Sequence, residues 1–388
     1  MAFTKVPERG VSLGMGDRTG MATAGHLAVA REYDFFPVFA QQSVREMTFT
    51  HRSYADIKND VLRAVDAQSG QKGAGAVSAF GFDGDHLKTM PEIEAALGAG
   101  ITMLTLDCSL VMNAVSPFSD ELRSMFSGKN FDAGGLRLTY SKEDTDRLAG
   151  IYGGVVGHIL DVWARFPQLH NDVAFEVSID ETTIPTDAHT HFMLAYFLRE
   201  RGVRFATLAP RFPGEFQKGI DYIGDIRELE QSLKDHKAIA DHFGYRLSIH
   251  SGSDKFSAFP LIGNILKEYH LKTAGTSYLE FFHIIGKVKP EFFWNVWQYS
   301  IANREEMGKF YHLGSSADNV PSGLTPEQML DHPDARQILH CSYMFTLNPE
   351  NELHEPFMAL LKAHEDEYHN QVERHFIRHV ESLGIPKL

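Results

Sequence analysis

Short apolar runs alternate along this chain with longer stretches in which apolar residues recur every three or four positions, a rhythm sustained from Val11 to Val288. The short runs predict strands over Val11–Gly16, Phe35–Gln41, Ala76–Phe82, Thr102–Leu106, Val173–Ile179, Arg204–Leu208, Arg246–His250 and Tyr269–Lys272. The longer periodicity predicts helices over His26–Arg31, Tyr54–Ala67, Pro91–Leu97, Lys142–Arg165, His189–Arg201, Ile223–Phe243, Phe259–Lys267 and Tyr278–Val288. Eight strand–helix units match a (β/α)8 TIM-type barrel. A doubly wound open sheet gives much the same alternation, so the number of units carries the assignment. A long insertion, Ser109 to Ser141, follows the fourth strand and is expected to form a lid or an irregular subdomain. The rhythm breaks after Pro290. Phe292–Phe310 reads as an aromatic-rich helix, Leu313 to Pro333 is rich in turn formers, and Leu353–Leu383 reads as a long terminal helix. The expected organisation is a catalytic barrel over residues 1–290 with a helical extension, 291–388, packed on it.

Composition narrows the classes of function. A chain of 388 residues with 43% apolar composition can bury a full core. The net charge of −14 argues against nucleic-acid binding, which requires a basic face. It does not exclude an anionic substrate, because a few local Lys and Arg can set the field in a cleft. Two cysteines, Cys108 and Cys341, make no disulfide framework and suit a reducing compartment. The segment from Met1 to Arg9 lacks a signal-peptide core, and no run reaches the length of a membrane span. These features predict a soluble cytoplasmic protein.

In a barrel of this kind the chemistry sits where strands end. Two such ends share one design: Leu247-Ser248-Ile249-His250-Ser251-Gly252-Ser253-Asp254-Lys255 and Tyr269-His270-Leu271-Lys272-Thr273-Ala274-Gly275-Thr276. Each delivers His and Lys and then turns through a loop of small and hydroxyl residues. Such loops offer N–H groups, hydroxyls and a lysine to an anion, so Ser251, Ser253, Asp254, Lys255, Lys272 and Thr273 are expected substrate contacts. The first strand ends in Gly14-Met15-Gly16-Asp17-Arg18-Thr19-Gly20, spaced GxGxxxG, with a carboxylate where a pyrophosphate would lie. A dinucleotide site is therefore disfavoured. Asp17 and Arg18 are expected either to meet polar substrate atoms or to pin the loop as a pair.

The third strand ends in Asp83-Gly84-Asp85-His86, where Asp85 is the candidate acid–base group and His86 a substrate contact that could replace a metal ligand. The fourth ends at Asp107, a weaker candidate. On the fifth, Glu176, Ser178 and Asp180 share a face by alternation and should point into the barrel mouth. The competing reading is a structural salt bridge to Arg204 or Arg211. Glu176, His250 and His270 together make a good set for Zn²⁺, Mn²⁺, Co²⁺ or Ni²⁺ with positions left open, and Glu176 is also a candidate catalytic carboxylate. His189 and His191 are expected to cap a helix or face solvent. His375 and His379, spaced i, i+4 on the terminal helix, are expected on a solvated face.

Three segments, Gly16-Asp17-Arg18-Thr19-Gly20-Met21-Ala22-Thr23-Ala24-Gly25-His26, Ile249-His250-Ser251-Gly252-Ser253-Asp254-Lys255-Phe256 and His270-Leu271-Lys272-Thr273-Ala274-Gly275-Thr276-Ser277, together resemble the tagaturonate/fructuronate epimerase family, some members of which are described as tagatose 4-epimerases. The resemblance spans Gly14 to Leu279. It implies a metal-dependent isomerase acting on a small sugar or sugar acid, interconverting D-tagaturonate and D-fructuronate, or D-tagatose and D-fructose, at C4. The C4 hydrogen of a 2-ketose is not acidified by the carbonyl, so simple deprotonation cannot invert it. Retro-aldol cleavage and re-addition, or migration of the carbonyl along the chain, would each need a metal and a base. A class II aldolase or sugar isomerase on a similar barrel is the rival enzyme. A non-catalytic sugar-acid binder is the rival outside catalysis. The segment after Pro290 would complete the site or provide the contact surface of a homo-oligomer.

Overall fold

In the computed structural model, which describes residues 2–68, 77–182, 184–273, 276–311 and 314–388, eight parallel strands pair in succession and the last returns to the first. They are β1 (Val11–Met15), β2 (Phe36–Ser43), β3 (Ala79–Leu87), β4 (Met103–Asp107), β5 (Ala174–Ile179), β6 (Thr207–Pro210), β7 (Arg246–Ile249) and β8 (Tyr269–Thr273). Closure runs through the register Tyr269–Val11 to Thr273–Met15. That closure removes the sheet edges and decides for the barrel over the open sheet. All eight expected strands are present, shifted by a few residues. The largest shift is in β3, which continues to Leu87, so Asp83, Asp85 and His86 lie within the strand. The pairing of β3 with β4 slips between Gly84 and Leu87, and His86 there adopts a left-handed backbone with φ 53°. Such bulges re-aim a side chain at a barrel rim.

The helix Lys142–Arg165 forms with the expected bounds because Ser141 caps its first turn and Leu148, Tyr152, Val155, Ile159 and Val162 line one buried face. The insertion after β4 forms a helix, Phe118–Phe126, and a hairpin, Asn130–Ala133 with Leu136–Thr139. Phe126 and Phe131 pack on Tyr140, Phe192 and Tyr196, which places the insertion on the flank of the barrel.

The extension builds a second apolar core together with the helix Thr276–Val288, joining Tyr278, Phe281 and Phe282 to Phe293, Ile338, Phe357 and Tyr368. Both long helices expected there are broken. The first divides at Asn303 into Pro290–Ala302 and Arg304–Gly308, and the second at His364 into His354–Ala363 and Glu365–Ser382. The last helix lies on the barrel, with Phe376 edge-on to His26 and Phe35. Gly263 permits this seat, since a Cβ there would stand 2.0 Å from the Leu383 carbonyl oxygen. Among the described residues no helix is long and apolar enough to cross a membrane. Ala76, Leu313 and the Ala274-Gly275 loop, all part of the expectations above, lie outside the described residues.

Candidate active site at the barrel mouth

Alternation along β5 turns Glu176 and Ser178 inward, and Asp180 follows where the strand ends. Register sets Thr105 of β4 and Thr207 of β6 beside Glu176. Lys272 of β8 reaches across the interior to Glu176 and Thr105 and to the β3 carboxylates. Its ammonium lies 2.8 Å from Asp83 Oδ2, 2.7 Å from Asp85 Oδ1 and 3.0 Å from Glu176 Oε1, and it also contacts Thr105 Oγ1. Glu176 Oε1 accepts from His250 Nε2 at 2.7 Å and from Thr105 at 3.1 Å, while its Oε2 accepts from Thr207 at 2.5 Å. These groups are almost fully buried, so each charge depends on its partners. Burial alone would depress the Lys272 ammonium, but Asp83, Asp85 and Glu176 outweigh it and hold the proton well above the usual range. Burial raises Asp83 to about 6, whereas Asp85 is held near about 2 because Lys272, His86 and His250 overcome its burial.

Above this layer opens a cavity of about 560 Å³, within the range for small-molecule sites. Asp85, His86, Asp180, Glu181, His250 and Ser251 line one wall, and Arg45, Lys88, Arg211 and Lys218 stand around it. The extension contributes Phe310 and Tyr311 to the lining. No described residue of the insertion after β4 touches it, which favours the subdomain reading over a lid.

The ligating atoms of His86, Asp180 and His250 lie within 4.8 Å of one another. The two imidazoles meet edge-on, 4.9 Å between centroids. Each has one nitrogen tied to a carboxylate: His250 Nε2 to Glu176, and His86 Nδ1 to Asp107 at 3.1 Å. Asp107 is itself held by Ser109 N at 2.9 Å and Lys88 at 3.2 Å. Ser178 donates to Asp180, whose Oδ2 stands 3.1 Å from His250 Nδ1. Two carboxylate-anchored imidazoles beside a third carboxylate suit a divalent metal, which would take the place of the proton between His250 Nδ1 and Asp180, so the donor set fits the expected ion. Without an ion the imidazole of His250 holds a proton up to about 10, since Asp180 and Glu176 outweigh burial and Lys272.

A sequence model described as tagaturonate epimerase matches residues 2–383. The chain is 33% identical to the tagaturonate/fructuronate epimerase of Thermotoga maritima over 96% of its own length and 80% of the relative's. The chain belongs to the tagaturonate epimerase family. Crystal structures of the fructuronate-tagaturonate epimerase UxaE from Cohnella laeviribosi agree with it, the glycerol complex at a TM-score of 0.91 and the native form at 0.90. Both are 34% identical, with 98% of this chain and 83% of theirs covered.

In this member of the tagaturonate epimerase family, the expected site residues divide by depth. Asp85, His86, His250 and Ser251 line the cavity. Glu176 and Lys272 form the buried layer that supports them. His270 is not brought to the histidine–carboxylate group. It lies two residues before Lys272 on the same face, with Nδ1 2.9 Å from Ser12 Oγ. Asp17 pins its loop, accepting from Thr19, Gly20 and Met21 through Oδ1 and from Thr23 through Oδ2. Arg18 is buried against Glu46, 3.2 Å from His340 Nε2 and 4.0 Å from the Tyr343 ring centroid. Thr273 donates to the Gly14 carbonyl at 2.8 Å. Ser253 is buried and its carbonyl accepts from Lys255 at 2.7 Å. Lys255 is turned away from the mouth, its ammonium also capped by the carbonyls of Gln217 at 2.7 Å and Ile220 at 2.6 Å.

Two expectations about histidines are corrected. His375 and His379 do not face solvent. They are buried against the barrel, where Asp254 Oδ1 lies 2.8 Å from His375 Nε2 and Arg336 Nη2 lies 3.0 Å from Asp254 Oδ2. His191 is buried too, 2.8 Å from His236 Nδ1, and Asp187 caps its helix instead. Nor do Arg204 and Arg211 pair with the β5 carboxylates: Arg204 donates to backbone carbonyls, and Arg211 reaches Glu215 and the Thr182 carbonyl. Sequence reasoning missed Arg45, Lys218, Phe310 and Tyr311, which lie in no motif.

Proposed function

We propose that this protein is a metal-dependent C4 epimerase interconverting D-tagaturonate and D-fructuronate, with the ion held by His86, Asp180 and His250. The reading is carried by one observation: the convergence of those three side chains at the cavity wall, directly above the Lys272 cluster. When bound, a divalent ion would supply Lewis acidity toward the substrate's carbonyl.

The chain's own residues account for the rest. Glu176 fixes the ring of His250 and, with Asp83, keeps Lys272 charged and stationary. Asp107 does the same for His86. Among the described residues Asp85 is the only carboxylate that both contacts Lys272 and lines the cavity, and its depressed pKa keeps it unprotonated. In this reading Asp85 takes the proton of the C4 hydroxyl as C3–C4 cleaves and returns it after the aldehyde fragment has presented its other face. Migration of the carbonyl along the chain would use the same base. Phe310 and Tyr311 add aromatic surface to the cavity wall.

The test is a metal-stripped and metal-restored assay, following D-tagaturonate and D-tagatose separately by chromatography. Conversion to the C4 epimer that requires added metal is expected, and it also ranks the neutral ketohexose against the uronate. Release of free three-carbon fragments would favour an aldolase. Folded, metal-loaded protein that converts neither sugar would remove the epimerase reading.

A further inference from the structure

We infer that the carboxylate of the sugar acid is held by Lys218 and Arg45, and that Lys255 is a positioning residue for that subsite. The inference rests on the epimerase reading for the identity of its ligand. It begins from charge. The mouth carries Glu46, Asp85, Asp180, Glu181 and Glu215 on a chain of net charge −14, so an anionic sugar needs a local cation that is not already neutralised.

Most of the candidates are neutralised. Lys272 is engaged by three carboxylates beneath the cavity. Lys255 has its ammonium capped by three carbonyls and does not line the cavity. Lys88 is shared between Asp107 at 3.2 Å and Glu181 at 3.0 Å. Arg211 is committed to Glu215 and to the Thr182 carbonyl. Lys218 and Arg45 also line the cavity and are half-buried, and neither makes an ion pair among the described residues.

Both are held in place. Lys218 sits on a short loop tied from three directions: Lys255 donates to the carbonyls on either side of it, at Gln217 and Ile220, Arg336 Nε donates to Gly219 O at 2.7 Å, and Gln337 Nε2 donates to Gln217 Oε1 at 2.9 Å. Gly219 has φ 73°, a left-handed conformation that glycine adopts without strain. Arg45 opens the helix Val44–Thr50, and its guanidinium stands 5.1 Å from the Tyr311 ring centroid. A loop fixed before binding costs the ligand little ordering. The burial of Lys255, which its hydroxyl-rich sequence context does not explain, is accounted for by this support.

The test is calorimetric titration of the metal-loaded protein with D-tagaturonate and D-tagatose, for wild type, Lys218→Gln, Lys218→Arg and Arg45→Gln. Lys218→Gln and Arg45→Gln are each expected to weaken the uronate tenfold or more and the neutral ketose less than threefold, with Lys218→Arg recovering most of the loss. Lys255→Met should show the same selectivity loss in smaller measure. Equal weakening of both sugars, or an unchanged uronate affinity, would overturn the subsite. Turnover is measured separately: selective binding without epimerisation would support the subsite and remove only the epimerase reading.

Discussion

Lys272→Met replaces the most heavily engaged cation of the barrel by an unbranched apolar side chain of similar length. Its side chain is 2% exposed and its ammonium meets three carboxylates at 2.7, 2.8 and 3.0 Å, so the substitution strips Asp83 of its counter-charge and leaves Asp85 and Glu176 with only the neighbouring imidazoles of His86 and His250. Removing one partner of a buried ion pair typically costs about 3–5 kcal/mol. An unfolding entropy of about 2.1 cal/mol/K per residue, taken over the chain, converts that to a melting-temperature loss of roughly 4–6 °C. The cluster can relieve itself by protonation, most readily at Asp83, which burial already raises to about 6 with Lys272 present. Without Lys272 its pKa climbs further, so the loss should be largest at alkaline pH and shrink as the pH falls. Scanning calorimetry of the metal-free protein at two pH values measures both, and Asp83→Asn in the Lys272→Met background should recover about 1 kcal/mol or more by deleting one stranded charge. A loss below about 1 °C at alkaline pH, or one equally large in acid, would refute the assignment of Lys272 as the counter-charge of this layer.

Glu176→Gln should leave the protein folded but weaken metal binding about 10–100-fold, because the amide no longer anchors His250 as a carboxylate does; equilibrium dialysis tests this, and wild-type activity at normal metal content would sink the role. Asp85→Asn should lower kcat by about 10²–10⁴ while metal content stays normal; loss of metal instead would move Asp85 into the ligand set. Asp17 is buried, which by itself would raise its pKa, but Arg52 and the hydrogen bonds of Thr19 and Thr23 outweigh this and hold it below its ordinary value near 3.8. Its stabilising contribution is therefore present above that value and is lost as the pH falls through the depressed folded pKa. Asp17→Asn should cost about 1–3 kcal/mol near neutral pH in denaturant titrations and progressively less in acid. A deficit that does not change with pH would mean that the charge is irrelevant to the loop.

The eight strands were legible because a barrel strand is a short apolar run whatever surrounds it, and the helix Lys142–Arg165 because its cap and its periodic face both lie in the sequence. The long helices of the extension were drawn too long, since nothing in their periodicity marks the breaks at Asn303 and His364. Within the site, alternation gives the face of a strand but not the depth. Glu176 within β5 and Asp180 just after it fall on one face yet differ in layer, and His270 sits one step below Lys272 for the same reason. The charge-rich helix of His375 and His379 predicts a solvated face. Only the fold reveals that Asp254, Glu280 and Arg336 wait opposite them. Lys218 and Arg45 left no trace in the sequence, because a cation that makes no ion pair is recognised only once the fold shows which carboxylates are already taken.

The tie between Asp254 and the terminal helix has a consequence for the timing of assembly. Strand β8, the last of the cylinder, is synthesised before the extension. Yet the loop after β7 waits for His375 and His379, the loop bearing Lys218 waits for Arg336 and Gln337, and the cavity lining waits for Phe310 and Tyr311. The mouth is thus finished only with the arrival of the C-terminus. Truncation or an intrusive C-terminal fusion should accordingly impair the mouth even where every barrel strand is intact.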